Sequence, residues 1–214
     1  VTGSRVRAVK GQGGLLRDRL LDIADQLLED GGTDALTIRA VATSAGVSPP
    51  AVYLHFASKR ELVHATCLRV WSSLFTQLEA VSREIADPVT ALYESCAAYI
   101  AFGLRHPSQY RLVMEGEATE ASRQNEDACF RYFRGKVAAC LDAGVPVEST
   151  TETARLLCAG VHGAVCLLIH QEHDAWPPDT ARYATRAASA TVHGALLTAS
   201  DASRPSLSAV MRPD

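Results

Sequence analysis

From residue 14 to residue 200 the chain is punctuated by signals that start and stop helices, and between them apolar residues recur at helical spacing. Leu16, Leu20, Ile23, Ala24 and Leu27 repeat at i, i+4, i+7, i+8 and i+11, one face of a helix that stops at Gly31-Gly32. Thr37 caps a short second helix carrying Ile38, Val41 and Ala42. Ser48 caps a third with Pro49 at its first position, where a missing N–H costs nothing. Ser58 with Glu61 forms a capping box that opens a fourth helix to about Ile85. Asp87-Pro88 opens a fifth, to about Arg105, and Pro107 a sixth that ends near Gly116. A seventh runs from about Thr119 to Asp142. A second capping box, Ser149 with Glu152, opens an eighth to about His173, and "WPPD" separates it from a ninth over about 179–200. No strand signal interrupts the series. The expectation is an all-α chain of about nine helices: an N-terminal three-helix helix-turn-helix domain and a larger C-terminal helical bundle.

Hydrophobic residues make up 47% of the 214 and charged residues 21%, a globular balance. The longest strongly apolar run, Leu156 to Ile169, is shorter than the roughly 20 residues a membrane span needs. The basic stretch "VTGSRVRAVKGQGG" has no apolar segment behind it and does not read as a signal peptide. A cytoplasmic protein with no membrane association is expected. The six cysteines (67, 96, 129, 140, 158 and 166) include no CxxC pair and fall in helical patterns, as reduced, buried thiols would. Net charge is −3, unevenly placed: residues 1–20 hold five basic groups against one acid, residues 66–214 hold 13 against 17. A basic arm on an acidic body suggests a polyanion at one end only.

Two short helices joined by a tight turn containing glycine form a helix-turn-helix. Ile38, Val41, Ala42, Val47, Val52 and Phe56 can hold the second and third helices against the first. That leaves Ser48, Pro49, Pro50, Ala51, Tyr53, Leu54 and His55 facing outward. A short recognition helix suffices, because only its first turns need to reach base edges in the major groove.

The stretch "ALTIRAVATSAGVSPPAVYLHFASKRELVHA", residues 35–65, closely resembles the DNA-binding segment of the TetR family of bacterial transcriptional regulators. LT at 36–37, A…AGVS at 42–48, Y-x-HF at 53–56 and K-x-x-L at 59–62 stand in the right mutual spacing. More loosely, "RHPSQYRLVM" (105–114) and "GVHGAVCLL" (160–168) resemble recurring segments of one branch of the family. The resemblance implies a DNA-binding domain at 14–74 with its reading motif at 37–56, a ligand-binding and dimerisation domain at 75–200, and flexible tails at 1–13 and 201–214. It implies a homodimer on double-stranded operator DNA, a repressor released by a small-molecule effector. A ligand-independent or activating regulator is the alternative.

Residue by residue, the resemblance implies that Thr37 meets a phosphate and Arg39 a base or phosphate. Ser48, Pro49, Pro50 and Ala51 lie at the groove floor, where proline and alanine make only apolar contacts such as those to thymine methyls. Tyr53 and His55 bind phosphates, and Lys59 adds a charge at the start of the fourth helix. Pro-Pro and Leu54 stand where many relatives carry polar side chains. Specificity then leans on Arg39, methyl contacts and DNA shape. Candidate effector contacts are the aromatics Trp71, Phe75, Tyr93, Tyr99 and Phe102, then Tyr110, Met114, Phe130, Phe133 and His162. They favour a largely apolar ligand with a few hydrogen bonds.

The eighth helix is apolar on nearly all sides and must be covered twice, by its own core and by something else. The ninth carries small residues that allow close approach. Candidate dimer contacts are Val161, Val165 and Leu168 with Ala184, Ala188, Thr191 and Ala195, in a four-helix interface about a two-fold axis. A helical protein-interaction module uses the same features without DNA. His162, Cys166 and His170 share one helical face, but they span about 12 Å, so one ion reaches only two of them. No metal, cofactor or enzyme activity is expected.

Overall fold

The structure, a computed structural model, describes residues 12–115, 120–171, 174 and 176–197. The basic arm before residue 12, the tail after residue 200 and the helix ends expected near Gly116, Thr119, His173 and Ser200 lie outside these residues. Among the described residues there are nine α-helices and no strand: α1 (Gln12–Ala35), α2 (Ile38–Ala45), α3 (Pro49–Tyr53), α4 (Lys59–Ser82), α5 (Pro88–Arg105), α6 (Pro107–Glu115), α7 (Glu120–Asp142), α8 (Thr150–Ile169) and α9 (Thr180–Leu197).

The caps do the starting. The Glu61 N–H donates to Ser58 Oγ at 3.1 Å, and Glu61 Oε2 accepts from the Ala57 N–H at 2.6 Å. Asp87 Oδ2 accepts from the Thr90 N–H, Ser149 Oγ from the Glu152 N–H, and Asp179 Oδ1 from the Arg182 N–H. α1 is broken at Gly32, whose φ of 69° is left-handed backbone that glycine adopts without strain, and one more turn follows the break. α8 stops at Ile169, short of the expected end. There the His170 ring Nδ1 donates to the Cys166 carbonyl at 2.8 Å and the Gln171 N–H to the Leu168 carbonyl, which satisfies two of the last-turn acceptors.

The chain forms two compact units. The first holds α1, α2, α3, α4 as far as Thr76, and α6; the second holds the end of α4, α5 to Leu104, α7 from Glu126, α8 and α9. The expectation places a boundary at residue 74, whereas by packing α6 joins the first unit, against α1.

In the first unit Leu20, Leu21, Ala24, Val41, Ala42, Val52, Phe56 and Leu62 form one buried cluster. A guanidinium at its edge ties α4 to α1. Arg69 reaches Asp22 Oδ1 at 2.6 Å, Asp25 Oδ2 at 3.3 Å and the Asp18 carbonyl at 3.3 Å. In the second unit α8 packs on α9, so closely at Gly160 that a Cβ there would lie 2.5 Å from Thr191 Cγ2. The Tyr183 hydroxyl donates to the Ala164 carbonyl across the same pair. By length and composition α8 is apolar enough to cross a membrane, although the run from Leu156 alone was expected to be too short. Here Ala154, Leu157, Val161, Val165, Leu168 and Ile169 are buried in the unit.

Asp25 is a carboxylate that this packing perturbs in the first unit. Burial raises its pKa from 3.8 to about 6, Arg69 pulls it back only in part, and Asp22 pushes it up. Its Oδ1 is buried with no hydrogen-bond partner. The charged form is disfavoured in the folded chain. Its contribution to stability is therefore complete below about pH 3.8 and is lost as pH rises through about 6. Asp25→Asn should match the parent near pH 3.5 and exceed it by roughly 1–2 kcal/mol at pH 7 in urea unfolding. A less stable variant at pH 7 would show that the Arg69 attraction outweighs burial.

Candidate nucleic-acid interface

The segment from Thr37 to Lys59 is built by local backbone chemistry. Thr37 has extended backbone, and its Oγ1 accepts from the Ala40 N–H at 3.1 Å, starting α2. Gly46 ends α2 in the left-handed region (φ 68°), with the Gly46 N–H on the Thr43 carbonyl and the Val47 N–H on the Ala42 carbonyl. Val47 turns inward and α3 begins two residues later.

Ser48 occupies the N-cap of α3, but its hydroxyl makes no cap bond, contrary to the expectation. An N-cap oxygen normally accepts from the second or third helical N–H. The second is Pro50, which has none, and the third, Ala51, already donates to the Ser48 carbonyl at 2.9 Å. Val52 and Phe56 are fully buried and pin the helix from below, while Arg17 lies over the Phe56 ring, 5.0 Å from its centroid. Ser48, Pro49 and Pro50 are exposed, Ala51 and His55 half-buried, Tyr53 51% and Leu54 85% exposed. Arg39 and Lys59 are exposed and Thr37 half-buried. One unit thus carries every expected DNA contact, on the start of α2, on α3 and on the start of α4.

The ten expected effector contacts are divided between the units. In the first, Trp71 and Tyr110 are buried, Phe75 stacks on Trp71 at 5.8 Å between centroids, and Met114 is half-buried. In the second, Tyr99, Phe102 and Phe133 are buried, with Phe133 edge-on to Tyr99. Phe130 lies under Arg155, and the Tyr93 hydroxyl donates to the Thr185 carbonyl. His162 Nε2 is 3.2 Å from Cys166 Sγ, and burial, followed by His170, lowers its pKa. Two cavities lie elsewhere. One of about 290 Å³ is bounded by Gly32, Asp34 and Arg111, the other of about 520 Å³ by Pro178, Arg182, Tyr183 and Arg186.

A polar network in the second unit has no local sequence signal. The Tyr132 hydroxyl donates to the Leu78 carbonyl at 2.9 Å and lies 2.9 Å from Ser95 Oγ and 3.2 Å from Ser82 Oγ. Lys136 Nζ donates to Ser82 Oγ at 2.7 Å. Its members come from α4, α5 and α7, so no motif could reveal it.

Six of the seven expected dimer contacts have no surface to offer. Val161, Val165, Leu168, Ala184, Ala188 and Ala195 are buried within the single chain, and half-buried Thr191 faces Gly160. These side chains join α8 to α9 of the same molecule. The outward apolar face of α8 is instead Leu156 (44% exposed), Ala159, Gly163 and Leu167 (60% exposed), at i, i+3, i+7 and i+11. A Cβ at Gly163 would meet nothing within 4 Å.

Among the described residues no three His, Cys, Asp or Glu side chains are placed to hold a metal ion. Burial pushes the thiols of Cys67 and Cys158 up to about 11 and that of Cys129 to about 12, so they are neutral near pH 7.

Residues 20–66 match the model of bacterial regulatory proteins of the tetR family, and residues 92–191 that of the tetracyclin repressor-like C-terminal domain. An uncharacterized HTH-type transcriptional regulator of Mycobacterium tuberculosis is 29% identical over 77% of this chain and 75% of its own length. The HTH-type transcriptional repressor KstR2 of the same species is 32% identical over 60% of this chain and 62% of its own. A solved structure of a protein with unknown function from Rhodococcus sp. RHA1 superposes with a TM-score of 0.71 at 25% identity, covering 84% of this chain and 94% of that one.

The two caps make a contrast that unfolding can read. Thr37→Ala should cost about 1 kcal/mol of stability. Ser48→Ala, which removes no cap bond, should stay within about 0.5 kcal/mol of the parent. Equal losses in urea unfolding would mean that Ser48 does cap α3.

Proposed function

The chain belongs to the TetR family of bacterial regulatory proteins and is a DNA-binding transcriptional regulator, and from that premise we propose that it acts as a homodimeric repressor released from its operator by a small, largely apolar molecule. The observation that carries the reading is the outward face of α3, whose side chains the fold does not use. In this proposal residues 14–74 read DNA and 75–200 hold effector and partner. Tyr53, His55 and Lys59 meet phosphates, as does the Thr37 hydroxyl, whose hydrogen remains free to donate after the oxygen has capped α2. Arg39, Ser48, Pro49, Pro50 and Ala51 meet bases. Such a protein works in the cytoplasm, beside the chromosome.

A dimer is needed to read two half-sites. The exposed stripe of Leu156, Ala159, Gly163 and Leu167 suits it, since a helix apolar on both faces needs a second cover. The relative named a repressor supports the direction of control. An effector changes DNA affinity only if it favours one arrangement of the reading heads over another. α4 is the proposed lever: Lys59 stands at one end, and Tyr132 holds Leu78 and Ser82 at the other. Coupling of about 1–3 kcal/mol is typical, a roughly 5- to 150-fold loss of operator affinity.

Selection from random duplex DNA should return a near-palindrome with half-sites about one helical turn apart. Lys59→Ala should weaken binding to all sequences alike and flatten the salt dependence by about one unit, while Arg39→Ala should change the preferred bases. The reverse pattern would mean these contacts are assigned backwards. In sedimentation, Leu167→Glu should yield helical monomers, whereas Val165→Arg should unfold by burying an unpaired charge. A dimer unchanged by Leu167→Glu would remove this face from the interface. Transcription in vitro from a promoter bearing the selected site should fall on adding protein; a rise would make it an activator.

A further inference from the structure

We propose that Leu54, together with Pro50, reads C5-methyl groups in the major groove, so that base preference depends on thymine or 5-methylcytosine at the positions these side chains cover. The inference rests on the DNA-binding reading above and names the feature of DNA that this site recognises. Among the described residues Leu54 is the most exposed large hydrophobic side chain, at 85%, so no contact within the described fold accounts for it. Its backbone is still helical (φ −69°, ψ −19°), which places it four residues beyond Pro50 on the same helical face. Four residues span about 6 Å of helix axis. Base pairs are about 3.4 Å apart along the duplex, so the two side chains cover one to two base steps.

The chemistry of the face is unusually one-sided. Pro49 and Pro50 are exposed and offer no N–H, and Leu54 offers no polar atom at all. Of the α3 side chains that reach outward, only Ser48, Tyr53 and half-buried His55 carry hydrogen-bonding atoms. In the major groove the apolar feature on a base edge is the C5-methyl of thymine. Cytosine bears a hydrogen there and gains the methyl only by modification. Thymine and cytosine also differ in the polar group next to that carbon, an acceptor in one and a donor in the other. A leucine senses the methyl and is indifferent to that swap. To Leu54, a methylated cytosine therefore looks like thymine, and methylation of an operator cytosine strengthens binding.

The test uses the full chain and the duplex it selects from random DNA. Each thymine is replaced in turn by deoxyuracil, which removes only the methyl, and each cytosine by 5-methylcytosine. Binding is read by fluorescence anisotropy. At least one thymine per half-site should weaken binding about fourfold on loss of its methyl, the factor that burial of one such group corresponds to. Leu54→Ala, whose helical content should be unchanged because the side chain is exposed, should lose that discrimination while keeping the response to salt. With that thymine·adenine pair replaced by a cytosine·guanine pair, 5-methylcytosine there should bind the parent better than cytosine does. Deoxyuracil tolerated everywhere, or discrimination unchanged in Leu54→Ala, would overturn the proposal while leaving DNA binding intact. Failure to select any sequence would instead overturn the DNA-binding reading, and this inference with it.

Discussion

A helix of five residues has no stability of its own, so α3 stands where its buried side chains put it. Val52 and the adjoining Phe56 share one cluster with Leu20, Leu21 and Ala24 of α1, Val41 and Ala42 of α2, and Leu62 of α4. Gly46 makes the approach possible by turning the chain through left-handed backbone directly before Val47. Once those contacts are made, the outward side chains have no structural duty. The Ser48 hydroxyl caps nothing and Leu54 packs in no core. Changes on this face should cost the fold little, because stability uses the opposite side of the same short helix, and the proposed recognition uses only this one.

α4 is held by two different chemistries along its length. Near its middle, the Arg69 guanidinium gathers acidic and carbonyl oxygens of α1. Near its end, the neutral hydroxyl of Tyr132 takes the Leu78 carbonyl and touches Ser82. The first joint includes a carboxylate whose burial opposes its charge, as the raised value of Asp25 shows. Such a joint contributes less than an apolar one of similar size, since desolvation offsets part of the attraction. The second is built on neutral hydroxyls, with Lys136 donating to Ser82 Oγ beside them.

Helix starts were legible from sequence because a cap is a local event. Thr37, Ser58, Asp87, Ser149 and Asp179 each bond a backbone N–H three residues ahead, so the signal and its partner sit in one short window. Ser48 broke the pattern for an equally local reason: the N–H three residues ahead, that of Ala51, donates to the Ser48 carbonyl instead, and Pro50 before it has none. The pair of short helices was legible too, since Thr37 to Lys59 is a continuous stretch whose apolar spacing already separates inward from outward residues. The sequence by itself therefore determined the helices, the turn between α2 and α3, and the face that α3 leaves exposed.

Tertiary structure decided what depends on partners far apart in the chain. α8 is apolar around most of its circumference, so periodicity could not say which side faces its own core. Only the packing of α9 against Gly160 turned Val161 and Val165 inward and left Leu156 and Leu167 outside. The Tyr132 network joins residues 78, 82, 95, 132 and 136 from three helices. Hydrogen-bond geometry of that kind is set by how helices cross, not by the spacing of residues along any one of them.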